Sequence, residues 1–165
     1  MTFPRVLKHA ITPRWLALRP FTSAALNGIE AAIKASESTH RAELRFVAEG
    51  DLDLLPALRG QTPRDRAVDV FSRLRVWDTA ENNGVLIYVQ CVDHAIEIVA
   101  DRGISARVPQ AEWDAICRRM ETAFREGSYE AGAVAGIEAI TALLARHFPP
   151  GAANPDELPD RPVLL

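Results

Sequence analysis

The chain has 165 residues, 48% of them hydrophobic, and a net charge of −3. That length is most simply one domain with a real core, and the hydrophobic share is that of an ordinary globular protein. The small acidic balance argues against a nucleic-acid binder, which normally shows a basic stripe, and no window reaches the ~18 apolar residues of a membrane span.

Residues 1–20 read as a basic helical extension, with RVLKHAITPRWLALRP at 5–20. Pro4, Lys8, Pro13 and Arg14 interrupt any secretory apolar run, which places the protein in the cytoplasm. The extension either lies on the body as a short helix or touches a membrane surface or partner. TSAALNGIEAAIKASE reads as a helix capped by Thr22 or Ser23, with Leu26, Ile29 and Ile33 on one stripe. ELRFVAE reads as a strand: Leu44, Phe46 and Ala48 face one way, Glu43, Arg45, Val47 and Glu49 the other.

GDLDLLPALRGQ is irregular connecting chain. A second helix starts at Thr62 as cap, with Pro63 first, Asp65 in the first turn, and Ala67, Val70, Phe71 and Leu74 inward. GVLIYVQCV is a nearly continuous apolar strand, as expected of a central one. AIEIVAD follows after Asp93-His94, which suggests a tight two-residue hairpin, although Asp-His is not a favoured turn pair. The third main helix puts Trp113, Ile116, Cys117, Met120 and Phe124 on one face and stops at Gly127. The last begins at Ser128 as a cap, and Gly132, Ala133, Ala135 and Gly136 let it lie close against the sheet. These elements occupy the body, 21–149. The tail, 150–165, carries Pro155, Pro159 and Pro162 and reads as loose or docked by a partner.

Helix, strand, helix, strand, strand, helix, helix implies an α/β fold. It is a three-layer α/β/α sandwich whose short mixed sheet joins a parallel strand-helix-strand unit to an antiparallel hairpin. One end of that sheet collects Glu37, His40, Glu43, Asp78, Glu81, Asn82, Asn83 and Asp101. The other collects Glu49, Asp51, Asp53, Asp93 and His94. Asp and Asn oxygens beside free carbonyls suit a hard cation. Asn-Asn-Gly is equally good turn chemistry, with Asp78 capping it. Glu37 and His40, three apart, read as a surface pair on a helix, although such a pair also suits a metal. His94 is expected to be solvated at the hairpin tip. Trp77 is expected beneath the 78–84 loop, with ligand stacking as the other reading. Cys91 and Cys117 read as two buried thiols, and no CxxC suggests a zinc or redox site. No GxSxG, P-loop, GxGxxG or HExxH motif is present, so nucleophilic catalysis has no positive signal.

NNGVLIYV, then DHAIEIVADRGI, then GSYEAGAVAGIEAITALLARHFP resembles the TPM domain family, also called DUF477, over roughly residues 22–149. RVWDT and HRAELRF place the likeness in its compact bacterial branch. The resemblance implies an α/β/α sandwich, and some relatives bind calcium or other divalent ions. A plant thylakoid relative has been assigned acid phosphatase activity. Mapped here, the family's acidic cluster implies metal ligands Asp78, Asn83 and Asp101, with Glu37 as a further one, for calcium or magnesium. The expected function is a binding module, stabilised by a divalent cation, that docks on a protein or membrane-associated partner. The competing one is a weak metal-assisted acid phosphatase, with Asp78 or Asp101 on the ion and Arg102 or His40 on phosphate.

Overall fold

The computed structural model describes residues 3–52, 60–151 and 155–165. Two short helices lead, α1 (Phe3–Ile11) and α2 (Arg14–Ala17), followed by α3 (Ser23–Ser36), β1 (Glu43–Glu49) and α4 (Pro63–Arg73). Then come β2 (Gly84–Gln90), β3 (Ala95–Ala100), α5 (Arg102–Ser105), α6 (Gln110–Arg125), α7 (Tyr129–His147) and β4 (Val163–Leu164). The segment expected as irregular chain before Gly60 lies mostly outside the described residues, and Asp53 with it. No described helix is long and apolar enough to cross a membrane.

The sheet order is β3-β2-β1-β4. β1 and β2 run parallel from Glu43↔Gly84 to Glu49↔Gln90, and β3 pairs antiparallel with β2. Helices α3, α6 and α7 cover one face, where Leu44, Phe46, Ala48, Ile87 and Ile98 meet Ile29, Trp113, Met120 and Ile140. The other face holds the smaller core of Val47, Leu86 and Tyr88 under Ala67 and Val70 of α4. β2 is buried along its whole length because both faces are covered, which is why it reads as a continuous apolar run. The three layers and the mixed sheet are those expected.

Local chemistry explains most element ends. Thr22 accepts from Ala25 N at 3.2 Å, and Thr62 and Asp65 form a reciprocal capping box at the start of α4. At Gly127 the chain turns through φ +82°, which ends α6. Ser128 stands before α7, yet its side chain makes no cap bond.

Several expectations are corrected. Gln90 pairs with Ala95, so the β2–β3 connection has four residues, Cys91 to His94. His94 absorbs the left-handed step at φ +54°, since Asp-His does not suit a two-residue turn. Gly132 and Gly136 face α6, not the sheet: a Cβ on Gly132 would meet Ala123 and Phe124, and one on Gly136 would meet Met120. The tail docks on its own chain. Val163 and Leu164 pair with Val47 and Ala48, and Leu165 N donates to Ala48 O at 2.9 Å. β1 otherwise leaves an open edge, and the tail covers it.

Candidate functional site

The loop between α4 and β2 is fixed by Thr79. Its hydroxyl accepts from Asn83 N at 3.0 Å and its carbonyl accepts from Asn82 N at 3.3 Å. Asn82 takes φ +53°, a conformation asparagine tolerates. Asp78, expected to cap this turn, is instead exposed, 3.9 Å from Arg75. Trp77 does not lie beneath the loop. It is 46% exposed, and its indole N–H donates to Ser72 O of α4.

Asn83 is buried just before β2. Its side-chain N–H donates to Arg41 O, which fixes the amide orientation, and its own carbonyl accepts from Glu43 N at 3.1 Å. Asn83 Oδ1 is buried and accepts no hydrogen bond among the described residues. Across β2, Asp101 N donates to Gly84 O at 2.9 Å, and Asp101 caps α5 with one carboxylate oxygen on Arg102 N at 2.7 Å. The other oxygen, Oδ2, is buried and likewise accepts nothing among the described residues. Buried oxygens normally find a partner; these two lie at the same end of the sheet, Asn83 on the Arg41 side of β2 and Asp101 on the β3 side. Arg102 reaches over the loop to Asn82 Oδ1 at 3.1 Å. Gly103 N donates to Asn82 O at 3.0 Å, and a Cβ on Gly103 would come within 2.7 Å of Glu81 O.

Glu37 belongs to a different group. Its carboxylate and those of Asp156 and Asp160 offer oxygens within 4.8 Å of one another. Burial, the hydrogen bond with Asp160, and the charges of Asp160, Asp156 and Glu43 push the Glu37 carboxyl up to about 7. Among the described residues, Asp78 and Asp101 join no such group of three. Asp156 and Asp160 escape sequence reasoning because they lie in the tail, whose return to β1 no periodicity signals. Glu37 and His40 do not share a helical face. α3 ends at Ser36, whose hydroxyl donates back to Ile33 O at 2.6 Å, and Thr39 closes the turn on Ser36 O. His40 is 0% exposed, not a surface residue, and burial lowers its pKa.

The far end of the sheet holds a second polar network. Glu49 is buried, accepts from Tyr88 OH, and takes a two-pronged bond from Arg66 at 2.6–3.1 Å. Arg5 grips Asp93 at 2.6–3.1 Å, and His9 Nε2 lies 3.1 Å from the same carboxylate. His94 is exposed, as expected. Cys91 is partly buried, Cys117 is buried, and both are free; burial pushes their thiols up to about 12.

The TPM domain model matches residues 19–143. The chain belongs to the TPM domain family. Among solved structures, this TPM domain is similar to the BA42 protein of the psychrophilic bacterium Bizionia argentinensis. The two are 32% identical over 87% of this chain and 94% of that one, with a TM-score of 0.77. The N-terminal domain of a P. gingivalis protein is 18% identical over 85% of this chain and 92% of its own, with a TM-score of 0.59, which shows a shared fold. No protein of curated function matches.

Proposed function

We propose that this TPM domain is a cytoplasmic binding module that takes a divalent cation, calcium or magnesium, and docks on a protein or membrane-associated partner. The observation that carries the cation reading is two buried oxygens with no donor among the described residues, Asn83 Oδ1 just before β2 and Asp101 Oδ2 across it at the end of β3. Hard oxygen donors of this kind suit calcium or magnesium, and Asp78 stands in the same loop. Glu37, with Asp156 and Asp160, is a separate carboxylate group near Glu43 that offers a second place for a cation. When bound, the cation would supply positive charge to oxygens that have no donor among the described residues. The two free thiols suit a reducing compartment.

Thermal unfolding after chelation, then with added calcium, magnesium or manganese, tests this. A cation that binds only the folded state, at 100 times its dissociation constant, adds about 2.7 kcal/mol. The expected result is a metal-specific rise in midpoint that Asp101→Asn removes. No rise with any ion at millimolar concentration would overturn the reading.

The phosphatase reading has one observation in its favour, an exposed Arg102 guanidinium that reaches Asn82 Oδ1 over the loop next to which Asp101 lies. His40, buried under the fold, is not placed to touch phosphate. Turnover of an aryl phosphate that Asp101→Asn abolishes in a folded protein would establish this second reading.

A further inference from the structure

The N-terminal extension is clamped on one side and bare on the other. On the inner side Arg5 holds Asp93, and the buried His9 accepts from Leu52 N through Nδ1 at 3.1 Å. With α1 fixed in this way, its outer face carries Leu7 and Ile11, four residues apart, 48% and 68% exposed. Trp15 and Leu16 of α2 extend the apolar surface, at 71% and 45% exposed. Lys8, Arg14 and Arg19, all exposed, are interleaved with them. Arg14 donates to a backbone carbonyl, Leu164 O, at 3.0 Å, so that bond does not cancel its charge. No carboxylate precedes Glu30, and the four Lys and Arg residues before it leave −7 on the rest of a chain whose net charge is −3.

We infer that the outer face of α1 and α2, where Leu7, Ile11, Trp15 and Leu16 stand among Lys8, Arg14 and Arg19, docks on an anionic lipid surface. The inference specifies the docking half of the binding-module reading and makes no use of the cation. Charge complementarity selects the occupant. A segment with no carboxylate of its own, on a negative body, is drawn to anionic headgroups by Lys8, Arg14 and Arg19, with Glu130 the carboxylate that lines the groove beside Leu16 and Arg19. A Lys between apolar residues at i and i+4, with an exposed Trp close by, is the pattern of helices that lie in the lipid interface. The cores of protein–protein contacts are instead depleted in Lys.

Flotation of the full chain tests it, using neutral phosphatidylcholine vesicles and vesicles with about 30% phosphatidylglycerol, an anionic lipid. Binding to the anionic vesicles is expected to exceed that to neutral ones by about tenfold, to weaken with salt and to survive chelator. In a Trp77→Phe background, Trp15 emission shifts to the blue on binding. Ile11→Asp with Trp15→Ser abolishes flotation, Lys8→Glu with Arg19→Glu removes the preference for anionic lipid, and Trp15→Phe retains binding. Circular dichroism checks that each variant is folded, which the exposure of these side chains favours. Equal partition into both vesicles, binding that survives both double variants, or binding abolished by chelator would overturn the inference. So would a dimer in sedimentation equilibrium that Ile11→Asp dissolves, since a second copy would then cover this face. Loss of flotation with an intact metal-dependent midpoint sinks this inference alone; the reverse sinks the cation reading alone.

Discussion

Arg66 and Glu49 form a two-pronged pair, 2.6 Å at its shortest, where the C-terminal end of β1 meets α4. Glu49 is buried, so its charge is tolerable only because Arg66 and the Tyr88 hydroxyl meet it there. The Arg66 guanidinium is in turn held firmly protonated, chiefly by its hydrogen bonds to Glu49. Arg66→Met leaves that carboxylate without its cation and is expected to cost about 3–5 kcal/mol, read by urea unfolding. Removing both charges with Glu49→Gln and Arg66→Met is expected to cost less than the single change. A double variant as unstable as the single one would show that packing, not charge, dominates here.

Alternation and helical spacing made the body legible. Leu44, Phe46 and Ala48 could be assigned to one face of β1, and Trp113, Ile116 and Met120 to the inner stripe of α6, because burial follows the period of the backbone. The sequence also placed Glu43, Asn83 and Asp101 at one end of the sheet, since parallel and antiparallel pairing fix which strand ends coincide. What it could not reveal depends on contacts with no period. Thr79, not Asp78, closes the loop. Asp156 joins Glu37 only because the Pro-rich tail returns to β1. Glu49 and Glu43 look like solvated positions in an alternating strand, yet both are buried because a second layer covers that face.

Gly103 controls how closely α5 approaches the loop. A Cβ there would lie 2.5 Å from Asn82 O and 2.7 Å from Glu81 O, both backbone atoms that cannot swing aside. Gly103→Ala is therefore expected to push the 81–82 turn away from Asp101 and to cost about 1–3 kcal/mol. On the cation reading it also reduces the calcium-dependent midpoint shift while Asp101 remains intact. Calorimetric titration of calcium into the chelated variant measures this, and unchanged affinity would separate the site from the loop's position.

Glu43 ties the tail to the sheet. Its carboxylate accepts from Glu157 N at 3.3 Å and Leu158 N at 3.2 Å, and burial raises its pKa despite those two bonds. Glu43→Gln keeps an acceptor without the buried charge, so it is expected to be mild. Glu43→Ala leaves both N–H groups without that acceptor, at about 1–3 kcal/mol, and weakens β4 on the β1 edge. Limited proteolysis should then cut within 155–165 faster in the Ala variant than in the Gln variant. Equal rates would show that β4 pairing holds the tail without Glu43.

Asp93 makes the clamp on α1 sensitive to acid. Burial alone would raise its pKa, but the Arg5 hydrogen bonds, helped by His9, outweigh that and bring the carboxyl below its usual 3.8. A depressed carboxylate contributes stability that is present above its unfolded value and is lost as pH falls through the folded one. The contribution should therefore be complete at pH 5 and fade only below about 3.8. Hydrogen exchange of the α1 amides, followed from pH 5 to pH 3 after correction for intrinsic rates, should show protection falling in that window. Asp93→Asn should lower protection already at pH 5 and flatten the acid dependence, because Arg5 then faces a neutral amide. Protection that falls equally in both proteins would assign the acid response to another carboxylate.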